Sequence, residues 1–385
     1  MCCFHLAIHT KDKMGKKKKR GGNKKKSDEN TVIDDDAASK NVQEESKVEK
    51  DEPQEEKSKF TVDDLMARVE QYLENFEHDM ALMFCQKALD MEPNNVKIHE
   101  CYGNVYAETG DIDNAMKYFN EAVRLEPNTG HVKYLYLGQI TEGREAVQHY
   151  EKGIAIMKET IEYQKNNKNE SNNEKPLSNG DVANVYCSLA EIFMTDCCMD
   201  DDAEEQCEKY CKLAVETDEK SLDAAVSMSN LLLNQSKMDE AKIATEKALA
   251  LWTELSKDIE EDSIPENLSY EARVTLIKLL IEVEVYDKVS PIVDQLIEEN
   301  EDDIRIWYYL GLAKSLMKDT DNPRFYLEKA LELIEKTGFQ NDDMVAHIEQ
   351  LLVDCPPEDE MDVIEEGEEE DEDDENEAEG QMDVE

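Results

Sequence analysis

Basic charge is scarce in this chain beside its acidic charge. Its 385 residues hold 43 Lys or Arg against 93 Asp or Glu, a formal net charge of −50 at pH 7. A surface that negative repels phosphate backbones, so direct nucleic-acid binding by the bulk of the chain is not expected. Long apolar runs are missing too: no stretch of 18 apolar residues occurs, so no membrane span and no membrane partner is expected. There is no phosphate-cradling glycine loop, no His-Glu-x-x-His and no Gly-x-Ser-x-Gly elbow, and no region is spare for a second catalytic domain. His78, His99, His131, His149 and His347 lack partner spacing and are expected at the surface or its boundary. The many carboxylates form a solvated or ligand-facing surface rather than an acid/base pair. No enzymatic activity, no cofactor and no metal is expected.

What is present is a 34-residue step. Ala115, Phe119, Ala122 and Pro127 repeat Ala81, Cys85, Ala88 and Pro93 one period later. The later copy opens with Tyr102-Gly103-x2-Tyr106. Small residues at Gly103, Ala115 and Ala122 let two helices approach closely, aromatic residues fill the gaps, and Pro127 ends the second helix. This is the tetratricopeptide (TPR) pattern of helix-turn-helix copies, which bury their apolar stripes by stacking. The spacing predicts an all-α fold: a right-handed TPR superhelical solenoid of about seven repeats, with a C-terminal capping helix and disordered charged tails.

The copies are expected at about 62–95, 96–129, 131–163, 182–220, 222–255, 270–303 and 304–337, with the capping helix at 342–353. In the third, Ala146 follows Gly138 after eight rather than twelve residues, about one helical turn fewer. A polar loop from Lys165 to Pro176 follows it. The fourth carries an acidic turn, Asp196 to Asp202, about five residues longer than usual. In the seventh, Asn322-Pro323 resembles an N-cap with proline at the first helical position.

Charge is unevenly distributed. Residues 11–26 hold ten Lys or Arg and one Asp, residues 27–59 twelve acids and five Lys, and residues 354–385 nineteen acids and no Lys or Arg. Residues 1–59 and 354–385 are too polar to pack and are expected to be disordered, yet residues 60–353 still carry a net of −33. The mildly apolar Met1 to Thr10 lacks the basic region of a secretory signal. Met14-Gly15-Lys16 looks a more natural start than Met1, and Gly15 lacks the downstream Ser or Thr of a myristoylation signal. Ten cysteines without a secretory signal fit a reducing compartment. Cys207 and Cys211 could supply two zinc thiolates beside Cys197 and Cys198, but they stand where the repeat expects small core residues.

The concave wall of such a stack is built mainly from the first helix of each pair. Register places Asp63, Met66, Glu70 and Glu74 on it in the first copy and Glu100, Asn104 and Glu108 in the second. Tyr136, Glu142, Glu191, Asn230, Glu271, Glu282 and Tyr308 continue the series, with Met194 and Tyr309 interleaved. The wall suits one extended basic client. A protein this acidic also places carboxylates on every face, which would by chance supply about half of this set. Chaperone-tail clamps of the dicarboxylate type need Lys and Asn where this chain has Met66 and Glu70.

Ahead of the stack, Lys16, Lys17, Lys18, Lys19, Arg20, Lys24, Lys25 and Lys26 form two basic blocks on a Gly-Gly-Asn spacer. They fit a nuclear import signal read by an import receptor. RNA binding by this arm is the rival, but the arm lacks aromatics for stacking bases.

The basic arm from Met14 to Gly22, a single TPR array and the acidic run from Glu365 to Glu375 together resemble the fungal assembly chaperones dedicated to large-subunit ribosomal protein number four. The resemblance implies capture of the newly made ribosomal protein in the cytoplasm, uptake of a long basic loop in the TPR groove, escort into the nucleus and release at the pre-ribosome. It carries no residue-level motif, so the wall residues rest on register alone. Acidic TPR-type histone chaperones fit the charge and nuclear targeting equally well, although they usually interrupt the repeats with a long acidic insertion. A passive scaffold predicts a groove of mixed charge.

Overall fold

The computed structural model describes residues 60–167, 176–258, 268–318 and 323–355. The basic arm, the acidic tail from residue 356 and the middle of the polar loop lie outside these residues. The chain divides into two compact units, Met1–Met91 and Glu92–Glu385. Among the described residues there are 15 α-helices and no strand.

The first unit contributes α1 (Val62–Glu74) and α2 (His78–Met91). Thr61 starts α1 with a capping box: its Oγ1 accepts from the Asp64 amide at 3.1 Å, and its own amide donates to Asp64 Oδ2 at 2.8 Å, which satisfies two backbone donors at the helix start. Leu65 and Val69 on α1 are buried, as are Ala81, Phe84, Cys85 and Ala88 on α2.

In the second unit the pairs continue with α3 (Val96–Glu108) and α4 (Ile112–Leu125), then α5 (Val132–Ile140) and α6 (Gly143–Asn166). Next come α7 (Asn179–Met194) with α8 (Ala203–Thr217), and α9 (Leu222–Asn234) with α10 (Met238–Leu255). The last pairs are α11 (Tyr270–Glu282) with α12 (Val289–Glu299), and α13 (Ile304–Met317) with α14 (Pro323–Thr337). The capping helix is α15 (Asp342–Asp354), started by Asn341, whose Oδ1 accepts from the Met344 amide. It buries Ile348 in a cluster with Leu327, Ala330, Leu333 and Ile334, which closes the apolar end of α14.

Five of the pairs repeat one spacing of buried residues. Val69 and Cys85, Gly103 and Phe119, Ser229 and Thr245, Ile277 and Val293, and Gly311 and Leu327 stand 16 residues apart, and all ten are buried. At Gly103 an added Cβ would lie 2.8 Å from the Phe119 ring, and at Gly311 2.7 Å from Leu327. Such contacts leave room for glycine alone. In the fifth copy the crossing is polar: Ser229 Oγ and Thr245 Oγ1 are 2.5 Å apart, and Thr245 also donates to the Ala241 carbonyl. In the third copy Gly138 meets Tyr150, only 12 residues on, and α5 has nine residues where α3 has 13.

The long turn before α8 is fastened rather than loose. Arg144, at the start of α6, donates to Asp200 at 2.8 Å and also to Asp202, and its guanidinium lies 4.8 Å from the Phe193 ring centre. Cys207 and Cys211 sit in the core formed by α6, α7 and α8. One expectation is corrected: His99 is buried, with Nε2 2.8 Å from the Pro93 carbonyl oxygen. Its place at the start of a helix beneath Tyr118 makes it part of the packing.

Filling the crossing should undo the fold locally. Gly103→Leu and Gly311→Leu are each expected to lower stability by about 1 to 3 kcal/mol through overpacking, read as an earlier unfolding midpoint in urea monitored by circular dichroism. Midpoints equal to wild type would show that these glycines are not the crossing points.

Candidate functional site

The first helix of each pair carries the residues that register assigns to the wall. On α1, in the first unit, Asp63, Glu70 and Glu74 are exposed and Met66 is half-buried. The remaining residues belong to the second unit.

On α3, Glu100 is half-buried and accepts from Lys133 Nζ at 3.3 Å, while burial pushes its carboxyl pKa up. Lys133 is fully buried at a position where α3 and α13 have Ile98 and Ile306, and its ammonium also donates to the Thr129 carbonyl at 2.6 Å. Asn104 donates to Glu108 Oε1 at 3.1 Å. Tyr136 on α5 stacks on Phe119 with ring centres 4.9 Å apart. Glu142 is exposed at the start of α6 and makes no side-chain cap bond there.

From α7 onward the residues converge. Glu191 on α7 is half-buried, and burial first, then the charges of Glu271 on α11 and Asp196 in the turn after α7, raise its pKa. Carboxylates from two helices separated by a whole copy therefore feel one another. Between them, α9 supplies Asn230 and Asn234, whose amide nitrogens lie 3.8 and 3.5 Å from Met194 Sδ. Glu271 is held by Arg305 through two bonds of 2.9 Å, and Arg305 is also bonded to Asp303. At the far end, Tyr308 and Tyr309 on α13 have ring centres 5.2 Å apart, and Tyr308 Oη lies 2.7 Å from His347 Nδ1 on α15. Burial raises both phenol pKa values, and the charge of the exposed Glu282 pushes the same way.

Three polar groups beside these residues escaped the register argument. Asp223, in the first turn of α9, has its pKa raised by burial although Ser269 hydrogen-bonds it. Arg305 neutralises Glu271, and Lys133 neutralises Glu100. Asp223 and Arg305 occupy the step that Asp63 occupies in the first copy, one residue inside the helix start, so the signal was available for them. Nothing in the repeat marks Lys133, because that position is normally apolar.

A chemical consequence follows for Glu191. Its raised pKa means that ionisation is penalised in the folded chain, so at neutral pH the group lowers stability, and the penalty disappears as pH falls through its folded pKa. Glu191→Gln is expected to raise the thermal midpoint at pH 7, with the gain shrinking toward acid pH. A gain independent of pH, or a loss at pH 7, would contradict this electrostatic account.

Residues 96–129 and 304–337 each match a tetratricopeptide repeat family model. The chain is 34% identical over 298 residues to a probable assembly chaperone of rpl4 from Schizosaccharomyces pombe, covering 72% of this chain and 85% of that protein. It is 27% identical over 263 residues to a probable assembly chaperone of rpl4 from Emericella nidulans, covering 64% of this chain and 63% of that one. Among solved structures, an assembly chaperone of RpL4 matches with a TM-score of 0.55 at 24% identity, covering 67% of this chain and 97% of that chain; at this identity the likeness is one of fold. The stacked helix pairs, the repeat matches and one relative sharing a third of its residues over most of both sequences lead to one conclusion: the chain belongs to the TPR family of assembly chaperones of rpl4.

Proposed function

We propose that this chain is a dedicated chaperone that takes a newly made, basic ribosomal protein of the rpl4 type onto the acidic wall of its TPR array. It shields that client, escorts it into the nucleus and releases it at pre-60S ribosomes. The observation that carries the proposal is the half-buried Glu191, whose ionised form is disfavoured by burial first and then by the charges of Glu271 and Asp196, within a protein of this family. A carboxylate penalised in the free chain is relieved when a lysine or arginine of a client arrives. The charge that costs stability alone thus favours the complex.

Uncompensated acidity also steers a basic protein toward the wall and keeps its extensions from binding RNA indiscriminately. Ribosomal RNA presents a denser line of negative charge, so transfer to it needs no nucleotide hydrolysis and the chaperone has no catalytic duty. The basic arm, Lys16 to Lys26, supplies the import signal, which gives the chain both a cytoplasmic and a nuclear location. The acidic tail acts as an auxiliary shield.

Two experiments test the proposal. The variant Glu108→Lys/Glu282→Lys reverses charge at two exposed positions and is expected to weaken capture of purified rpl4-type protein at least about tenfold, with wild-type affinity falling steeply as salt rises. Capture that is equal to wild type and insensitive to salt would contradict the acidic wall. Replacing Lys16 to Arg20 and Lys24 to Lys26 with alanine should confine the chain to the cytoplasm while capture in vitro stays unchanged. Continued nuclear accumulation would contradict the import role.

A further inference from the structure

The turn between α1 and α2 displays an aromatic residue that the fold leaves largely in solvent. Phe76 has φ 58°, in the left-handed region, and 82% of its surface is exposed. Bulky L-residues rarely adopt this backbone, because Cβ crowds the neighbouring carbonyl. The left-handed turn residues of other copies are Gly110, Ser236, Glu284 and Lys318, either glycine or side chains at home in water. The turn itself is closed by main-chain bonds, Phe76 N to the Leu73 carbonyl at 3.0 Å and Glu77 N to the Tyr72 carbonyl at 2.8 Å, and neither needs a phenyl group. The ring meets the edge of His78, with centres 6.5 Å apart.

The neighbouring sequence carries charge of one sign. Glu70, Glu74, Glu77 and Asp79 are all exposed, and no Lys or Arg occurs between Arg68 and Lys87. Strained and exposed positions of this kind persist where they serve contact rather than folding.

We infer that Phe76 is a docking anchor: its phenyl ring enters an apolar pocket on the basic client, and the acids around it meet basic residues on the rim of that pocket. This rests on the proposed function, which supplies a basic partner, and adds to it an apolar contact at the turn that follows the first helix of the first copy. An aromatic side chain carries a large share of binding energy when a partner desolvates it, and a ring of charges excludes water and sets orientation. The same acids discourage two copies of this chain from associating through their exposed rings.

The test uses the full chain with Phe76→Gly, Phe76→Asn and Phe76→Trp, measuring affinity for purified rpl4-type protein and the thermal midpoint. Gly and Asn adopt the left-handed backbone more readily than Phe. Both variants are expected to melt at or above the wild-type temperature while binding about tenfold more weakly, and Phe76→Trp is expected to bind as wild type. Equal affinity in the Gly and Asn variants overturns the inference alone, as does a midpoint lowered by several degrees, which would show that the ring packs within the fold. A wild-type chain that does not bind the protein overturns the proposed function and the inference together.

Discussion

The whole architecture depends on the crossing inside each helix pair. Where Gly103 faces Phe119 or Gly311 faces Leu327, the absent side chain on one helix lets a large one on the other reach the partner backbone. That contact sets how closely the pair packs, and so which residues of the first helix remain to face outward. Other pairs reach the same end differently, with a hydroxyl pair at Ser229 and Thr245 or with Ile277 and Val293 in an apolar cluster. The third pair moves its crossing four residues closer in sequence, to Tyr150, and its first helix shortens accordingly. Packing at the crossing and exposure on the wall are thus two results of one constraint.

That constraint leaves the wall free to be chosen for charge, and the charge is stabilised only in part. Arg305 and Lys133 neutralise Glu271 and Glu100 from within. Among the described residues no cation is paired with Glu191 or Asp223, and burial disfavours their ionised forms. Unfavourable electrostatics held by a well-packed scaffold is a common arrangement at binding sites, because the missing countercharge comes from the partner. The wall also has a chemical gradient: carboxylates and amides gather around α7, α9 and α11, and tyrosines around α13, where Tyr308 is tied to the capping helix through His347. An extended segment bound along it would meet carboxylates at one end and aromatic faces at the other, which suits Lys and Arg stems as well as their charges.

Most of the fold was legible in the sequence because the crossing demands particular residues at a fixed step. Gly103, Ala115, Phe119 and Ala122 announce a helix pair, and Trp307-x2-Leu310-Gly311 announces another. The parts that were not legible involve polar groups doing core work. His99 reads as a surface or boundary residue and nothing in the repeat singles out Lys133, yet both are buried, because each finds a backbone carbonyl that accepts its hydrogen bond. Arg273 is likewise buried against Glu299 and the Ser269 carbonyl, a pairing across 26 residues that no repeat pattern reveals. The turns hid as well: Phe76, Ser236, Glu284 and Lys318 take left-handed backbone where glycine would have signalled it. At the candidate site, register offers a set of first-helix residues but says nothing of their partners. Partnership is a relation between copies, and a single-copy motif does not encode it.

Hydrogen exchange of the chain alone and in complex with purified rpl4-type protein tests the central claim most directly. The account predicts slowed exchange along the first helices, strongest in α7, α9 and α11, with the second helices α8, α10 and α12 little changed. Protection confined to the second helices, or none on the first, would contradict an acidic wall that holds the client.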